Sequence, residues 1–167
     1  FHYYTNRNQF VMKKFHKGII RKLEDIVFQR NKKNNLYIGI CPRSGKSQTT
    51  LYFLSWGIAH NPQSNFLSVS YGGELINKFS KQVRNMVSSP LFSTIFGVSV
   101  SKDSTASDLW KTINGGEYRA TTLQGTITGF GAGTMSSGWG GCIIIDDFLK
   151  AQDATSQNEK RKVIEYS

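Results

Sequence analysis

The tripeptide Gly45-Lys46-Ser47 closes the apolar run Leu36-Tyr37-Ile38-Gly39-Ile40 and precedes a helical pattern. A short strand that stops at Gly-Lys-Ser and passes into a helix predicts a phosphate-binding loop, and with it a sheet whose carboxyl edge carries the ligand. The chemistry explains the residue types. Gly45 lets backbone N–H groups close around a phosphate, Lys46 reaches the β- and γ-phosphates, and the Ser47 hydroxyl ligates Mg²⁺. The pattern G-x-x-x-x-G-K-[ST] asks for glycine at position 40, where Ile40 stands, with Gly39 one place early.

A second motif supplies the other half of such a site. Cys142-Ile143-Ile144-Ile145-Asp146-Asp147 is an apolar, β-branched run ending in two carboxylates. It reads as a strand buried on both faces of a parallel sheet, with the acids at its carboxyl end. Two adjacent carboxylates repel each other unless a cation or an arginine stands nearby. Asp146 is the candidate metal-holding acid, and Asp147 the acid that orients and activates the attacking water.

The 167 residues suffice for one domain with a real core. The chain begins at Phe1 and ends in a helical pattern over 158–166, so a longer protein is expected to continue, particularly beyond the C-terminal end. No apolar run of about 18 residues and no signal-peptide pattern is present, which predicts a soluble, non-secreted chain without a membrane partner. Cys41 and Cys142 each flank a predicted central strand and read as reduced, buried thiols. His2, His16 and His60 lack metal-ligand spacing, which argues against zinc.

The net charge is +10, and the basic residues crowd the start. Residues 1–33 hold Arg7, Lys13, Lys14, Lys17, Arg21, Lys22, Arg30, Lys32 and Lys33 against only Glu24 and Asp25. Such a field attracts polyanions, although a solubilising helix face has the same composition.

Periodicity predicts an amphipathic helix over 8–30, strands over 36–41 and 65–70, and helices over 46–60 and 72–89. Asn61-Pro62 stops the second of these helices. An irregular stretch is expected from Pro90 to Ala106. A hairpin is then expected from 109–113 and 117–122 around Asn114-Gly115-Gly116. Seven glycines between Gly125 and Gly141 mark a long loop inside the domain, a place where loops tend to be functional. A last helix is predicted over 157–166, capped by the segment 153–156. Strand–helix alternation with a separate hairpin predicts an α/β three-layer domain.

These residues together resemble the ATPase domain of the large terminase subunit of tailed bacteriophages. The resemblance runs in order along nearly the whole chain. It takes in Phe15-His16-Lys17-Gly18-Ile19-Ile20, the loop Cys41-Pro42-Arg43-Ser44-Gly45-Lys46-Ser47, and Val69-Ser70-Tyr71 with the helix over 75–84. It continues through Trp110-Lys111-Thr112, Gly115-Gly116-Glu117-Tyr118-Arg119-Ala120 and Ile127-Thr128-Gly129 to Ile143-Ile144-Ile145-Asp146-Asp147 and Asp153-Ala154-Thr155-Ser156. The Pro-Arg-x-Gly-Lys-Ser form of the loop, without the first glycine, is typical of terminases.

The resemblance implies a P-loop NTPase of the ASCE type, a three-layer sandwich with a mostly parallel central sheet and an added β-hairpin. Residues 1–167 would be the N-terminal ATPase domain, incomplete at its C-terminal end, with a nuclease domain beyond. It implies ATP and Mg²⁺ as cofactors, with Pro42, Arg43, Ser44, Gly45, Lys46, Ser47 and Gln48 around the nucleotide and Ser47 and Asp146 on the metal. Asp147 matches the catalytic acid, and Arg43 an arginine that senses or stabilises the γ-phosphate. A second arginine supplied by a neighbouring subunit would be Arg119 or, failing that, Arg84. Gln9 and His16 lie where such proteins hold adenine contacts. The implied partners are double-stranded DNA, a portal protein, a small terminase subunit and further copies in a homo-oligomeric ring, a pentamer when packaging. The implied location is the host cytoplasm and, transiently, the prohead portal. A P-loop helicase or other DNA translocase would share both phosphate motifs, but Asp146-Asp147-Phe148-Leu149 does not fit a helicase acid box. A non-catalytic DNA-binding module with a degenerate loop is disfavoured because Lys46, Ser47, Asp146 and Asp147 are all present.

Overall fold

The computed structural model describes residues 12–30, 35–104, 106–125, 130–132 and 138–146. Within them the order is α1 (Lys14–Val27), α2 (Lys46–His60), β1 (Asn65–Ser70), α3 (Gly73–Val87), α4 (Pro90–Phe96), β2 (Leu109–Lys111), β3 (Glu117–Thr122) and β4 (Ile143–Ile145). The domain is thus α/β, with a small mixed sheet in the order β2-β3-β1-β4. β1 pairs in parallel with β3 and with β4, aligning Leu67 with both Arg119 and Ile143. The hairpin strand β2 runs antiparallel to β3.

The core forms where helical and strand periodicities meet. Leu51, Leu54 and Ile58 of α2, Ile76, Val83 and Val87 of α3, and Phe92 of α4 pack with Phe66, Trp110, Tyr118 and Ala120 of the sheet. α2 is buried on almost every side, including Ser55 and Gly57, as a helix beneath a sheet must be when its residues are apolar all round. Buried polar groups are paired inside this core. The Trp110 Nε1–H donates to Ser80 Oγ at 3.2 Å, and the Tyr118 hydroxyl donates to Ser68 Oγ at 2.8 Å. Trp110 and Tyr118 stack with ring centroids 4.8 Å apart.

The expected α2, β1, α3 and hairpin are present at or within a few residues of their predicted bounds. Four expectations are corrected, the first being that Cys41 is exposed rather than buried. The stretch after Pro90 is not irregular throughout. It opens with α4, which Ser89 caps by accepting from the Phe92 N–H, which has proline in its first turn, and which ends at left-handed Gly97. Residues 36–41 form no strand: residues 35–41 have no regular secondary structure, and Tyr37 is 92% exposed. β-Branched residues favour a strand only where a neighbour supplies the ladder. β4 is not buried on both faces. It ends the sheet of the described residues, and Ile143 and Ile145 are 56% and 45% exposed. The predicted helix over 157–166 lies outside the described residues. Among the described residues no helix is long and apolar enough to cross a membrane.

Candidate nucleotide site

The carboxyl ends of β1 and β4 and the amino end of α2 meet at one edge of the sheet. β4 carries Asp146 there, and the Asp146 N–H donates to Val69 O at 3.0 Å, extending the β1–β4 ladder by one residue. Lys46, the first residue of α2, places Nζ 2.6 Å from Asp146 Oδ1, with both side chains about one-third exposed. Two residues a hundred positions apart, singled out in the sequence for one phosphate–metal chemistry, are in contact. An ion pair this accessible contributes little to folding, on the order of 1 kcal/mol or less.

The loop that leads into α2 contains two residues with left-handed φ, Arg43 and Gly45. Gly45, the residue before the helix, sits in the left-handed region at φ 81°, ψ 21°. Arg43 adopts φ 61°, uncommon for a residue with a Cβ, and its side chain is exposed. Left-handed residues set among right-handed ones turn successive N–H groups to one side, the geometry that cradles anions. The Ser44 N–H donates to Cys41 O at 3.3 Å, and the Gly45 carbonyl accepts from both Thr49 N–H and Thr49 Oγ1, each at 2.9 Å. These bonds fix the turn from inside the helix. Ser47 is exposed in the first turn of α2, where its hydroxyl is open to a ligand.

The remaining candidate residues divide. Pro42 is exposed beside Arg43, and Gln48 is partly buried in the first turn of α2. Asp147 and Gln9 lie outside the described residues. His16 is 3% exposed, and its Nε2 stands 2.7 Å from Ser44 O, so α1 touches the loop. Arg84 donates from Nη2 to Ser104 O at 2.6 Å and ties α3 to the loop after α4. Arg119 lies in β3 between Leu67 and Leu109, partly buried, its guanidinium 5.8 Å from the Phe130 ring centroid. It is therefore level with Ile143 in the sheet, three residues behind Asp146.

A cleft of about 520 Å³ runs from Lys46 and Asp146 back between residues 36–40 and β4, with Ile19 and Leu23 of α1 and Phe53 of α2 on its walls. Its floor is apolar and its mouth carries the ion pair. Cys142 stands on this wall, and burial pushes its thiol up from 9.0 to about 12, so it is neutral and unreactive at ordinary pH. Burial likewise raises the Tyr118 hydroxyl, with its bond to Ser68 opposing. Ser70 ends β1 level with Thr122, next to Val69 whose carbonyl accepts from the Asp146 N–H; it is 2% exposed, and its Oγ has no hydrogen-bond partner among the described residues.

The arrangement fits a triphosphate and a divalent ion in the character of its groups: a left-handed loop, a lysine, a hydroxyl at a helix start and a carboxylate on an adjacent strand end. Among the described residues there is no cluster of three or more His, Cys, Asp or Glu that could hold a metal ion. No family model, no curated protein and no solved structure matches the chain.

Proposed function

We propose that this chain is a Mg²⁺-dependent ATPase, the motor domain of a large-terminase type of DNA-packaging machine, built on a three-layer P-loop fold. The observation that carries the reading is the 2.6 Å contact of Lys46 with Asp146 at the carboxyl edge of a parallel strand pair, beside a loop with left-handed Arg43 and Gly45. In this reading Lys46 exchanges its carboxylate partner for the β- and γ-phosphates. Ser47 and Asp146 hold the ion, which supplies charge neutralisation at the transferring phosphoryl group. Asp147 orients the attacking water and accepts its proton, and Arg43 meets the charge that develops on the γ-phosphate. Arg119 is the proposed contribution from a neighbouring copy in a ring, and duplex DNA, a portal protein and a small subunit are the proposed partners in the host cytoplasm.

The basic face of α1 supports a polyanion partner. Lys13, Lys14, Lys17, Arg21 and Lys22 are all exposed, and among the described residues none of them forms an ion pair. The deciding experiment is steady-state ATP hydrolysis by the full-length protein with Lys46→Ala and Asp147→Asn. Losses of several orders of magnitude in each are expected. Unchanged turnover in both variants would sink the reading.

A further inference from the structure

His16 stands in the first turn of α1, and both of its ring nitrogens are engaged. The Lys13 backbone N–H donates to Nδ1 at 3.1 Å, so Nδ1 is an acceptor and carries no proton. Nε2 faces the Ser44 carbonyl at 2.7 Å, and a carbonyl oxygen only accepts, so Nε2 carries the hydrogen. The ring is the neutral Nε2–H tautomer, fixed by the first turn of its own helix and packed on Phe15 at a centroid distance of 3.9 Å.

Its effect on the loop follows from peptide geometry. The C=O of Ser44 and the N–H of Gly45 belong to one planar trans peptide and point in opposite directions. A carbonyl held toward α1 turns the Gly45 N–H away from α1. Gly45 is also the residue whose left-handed backbone begins α2, so this peptide is the hinge between loop and helix. Without a donor on the α1 side, the peptide can flip and present an oxygen where an anion needs a hydrogen.

We infer that His16 is a positioning residue for the phosphate loop: by donating from Nε2 to the Ser44 carbonyl, it aims the Gly45 N–H at the bound phosphate. This rests on the nucleotide reading above, and it assigns His16 a role through the loop rather than through the adenine ring. The role differs from packing, because it predicts a loss of phosphate affinity in a folded protein.

The test measures affinities of the full-length protein for Mg²⁺–ATP and for Mg²⁺–tripolyphosphate, which has no base, alongside the melting temperature. His16→Ala is expected to weaken both ligands by the same factor, about tenfold for one lost hydrogen bond. His16→Gln, which keeps an N–H donor on a side chain of similar reach, is expected to recover both to within about threefold of the parent. A loss for ATP alone, with tripolyphosphate unaffected, would assign His16 to the base and overturn the inference. A lower melting temperature with both affinities intact would reduce it to packing and overturn it equally. A parent protein that binds neither ligand would instead refute the nucleotide reading, and the positioning role with it. If His16→Ala does not fold, the Gln variant decides: equal affinities for both ligands near the parent's uphold the role, and an equal tenfold loss of both despite the retained donor overturns it.

Discussion

Gly141→Ala is the substitution whose consequence the structure defines most sharply. Gly141 precedes β4 and crosses the backbone of Asn65 at the start of β1, with φ at +119°. An added Cβ would fall 2.0 Å from Asn65 O, 2.8 Å from Asn65 C and 3.0 Å from Asn65 N. Backbone atoms cannot swing aside as a side chain can. The surrounding bonds, Asn65 N–H to Gly140 O at 2.9 Å and Leu67 N–H to Cys142 O at 3.1 Å, leave the strands no slack. A non-glycine residue at this φ costs about 1–3 kcal/mol, and forced overpacking about 1–3 kcal/mol more. A loss of roughly 3–5 kcal/mol is therefore expected, a large share of the 5–15 kcal/mol that holds a typical domain together. Relief requires β4 to withdraw from β1, which carries Asp146 away from Lys46, so nucleotide affinity falls with stability. Urea unfolding followed by circular dichroism measures the first, and titration with a fluorescent nucleotide the second. Gly18→Ala is the internal control: Gly18 lies exposed inside α1 with nothing within 4 Å of an added Cβ. That change should stabilise by about 0.5–1 kcal/mol. A Gly141→Ala protein within about 1 kcal/mol of the parent would refute the close-approach argument.

Alkaline stability should fall in a defined window. The raised thiol of Cys142 and the raised hydroxyl of Tyr118 stay protonated in the folded chain while the unfolded chain ionises above about pH 9, so the unfolded state binds fewer protons and stability declines as pH rises from there toward 12. Each group adds a slope of at most about 1.4 kcal/mol per pH unit, and unfolding midpoints at pH 8–11 should be less steep in Cys142→Ala; parallel curves would refute this. Ser70→Ala should lose no stability, because the buried hydroxyl has no partner among the described residues; a drop above about 1 kcal/mol in thermal unfolding would show that it has one. Neutralising Lys13, Lys14, Lys17 and Arg21 to Gln should flatten the slope of log duplex affinity against log salt by up to about 0.9 per lost phosphate contact; an unchanged slope would place the DNA grip elsewhere.

Legibility in the sequence followed the strength of the local signals. α2 and β1 stand at their predicted bounds because an apolar run, a Gly-Lys-Ser start and an Asn-Pro stop all agree. The hairpin was legible in Asn114-Gly115-Gly116, and Gly115 takes the positive φ, 93°, that such a turn needs. α4 was missed because seven residues are too few to show a period, although Ser89, Pro90 and Gly97 spell out both of its ends. Residues 36–41 and β4 misled for one reason: an apolar composition reports a preference for burial but does not say which neighbour provides it. At the site, the Gly-Lys-Ser motif and the strand ending in Asp146 were legible, whereas the direct Lys46–Asp146 contact was not, because each was assigned a separate ligand. The burial of His16 was not, since a histidine in a basic first turn looks solvent-facing. The clue was its spacing of three from Lys13, the interval at which a side chain reaches back to cap its own helix.

Trp139 gives the site an optical handle. Its indole lies against α2 where Gly57 leaves room for it, edge-on to Phe66 at 5.5 Å, and its carbonyl accepts from Asn61 Nδ2 at 2.8 Å. The segment leading into β4 is thus moored to the far end of α2 by Trp139, while Asp146 is moored to the near end by Lys46. Helix and strand are suspended between two fastenings, and a shift at the Lys46 end loads the Trp139 end. Trp110 is fully buried in the core, and Trp56 lies on α2 itself, stacked on His60 with ring centroids 5.6 Å apart. With Trp56 of α2 replaced by Phe, the emission of Trp139 beside that of the core Trp110 reads out, without any label, whether the acid-bearing strand slides along the helix.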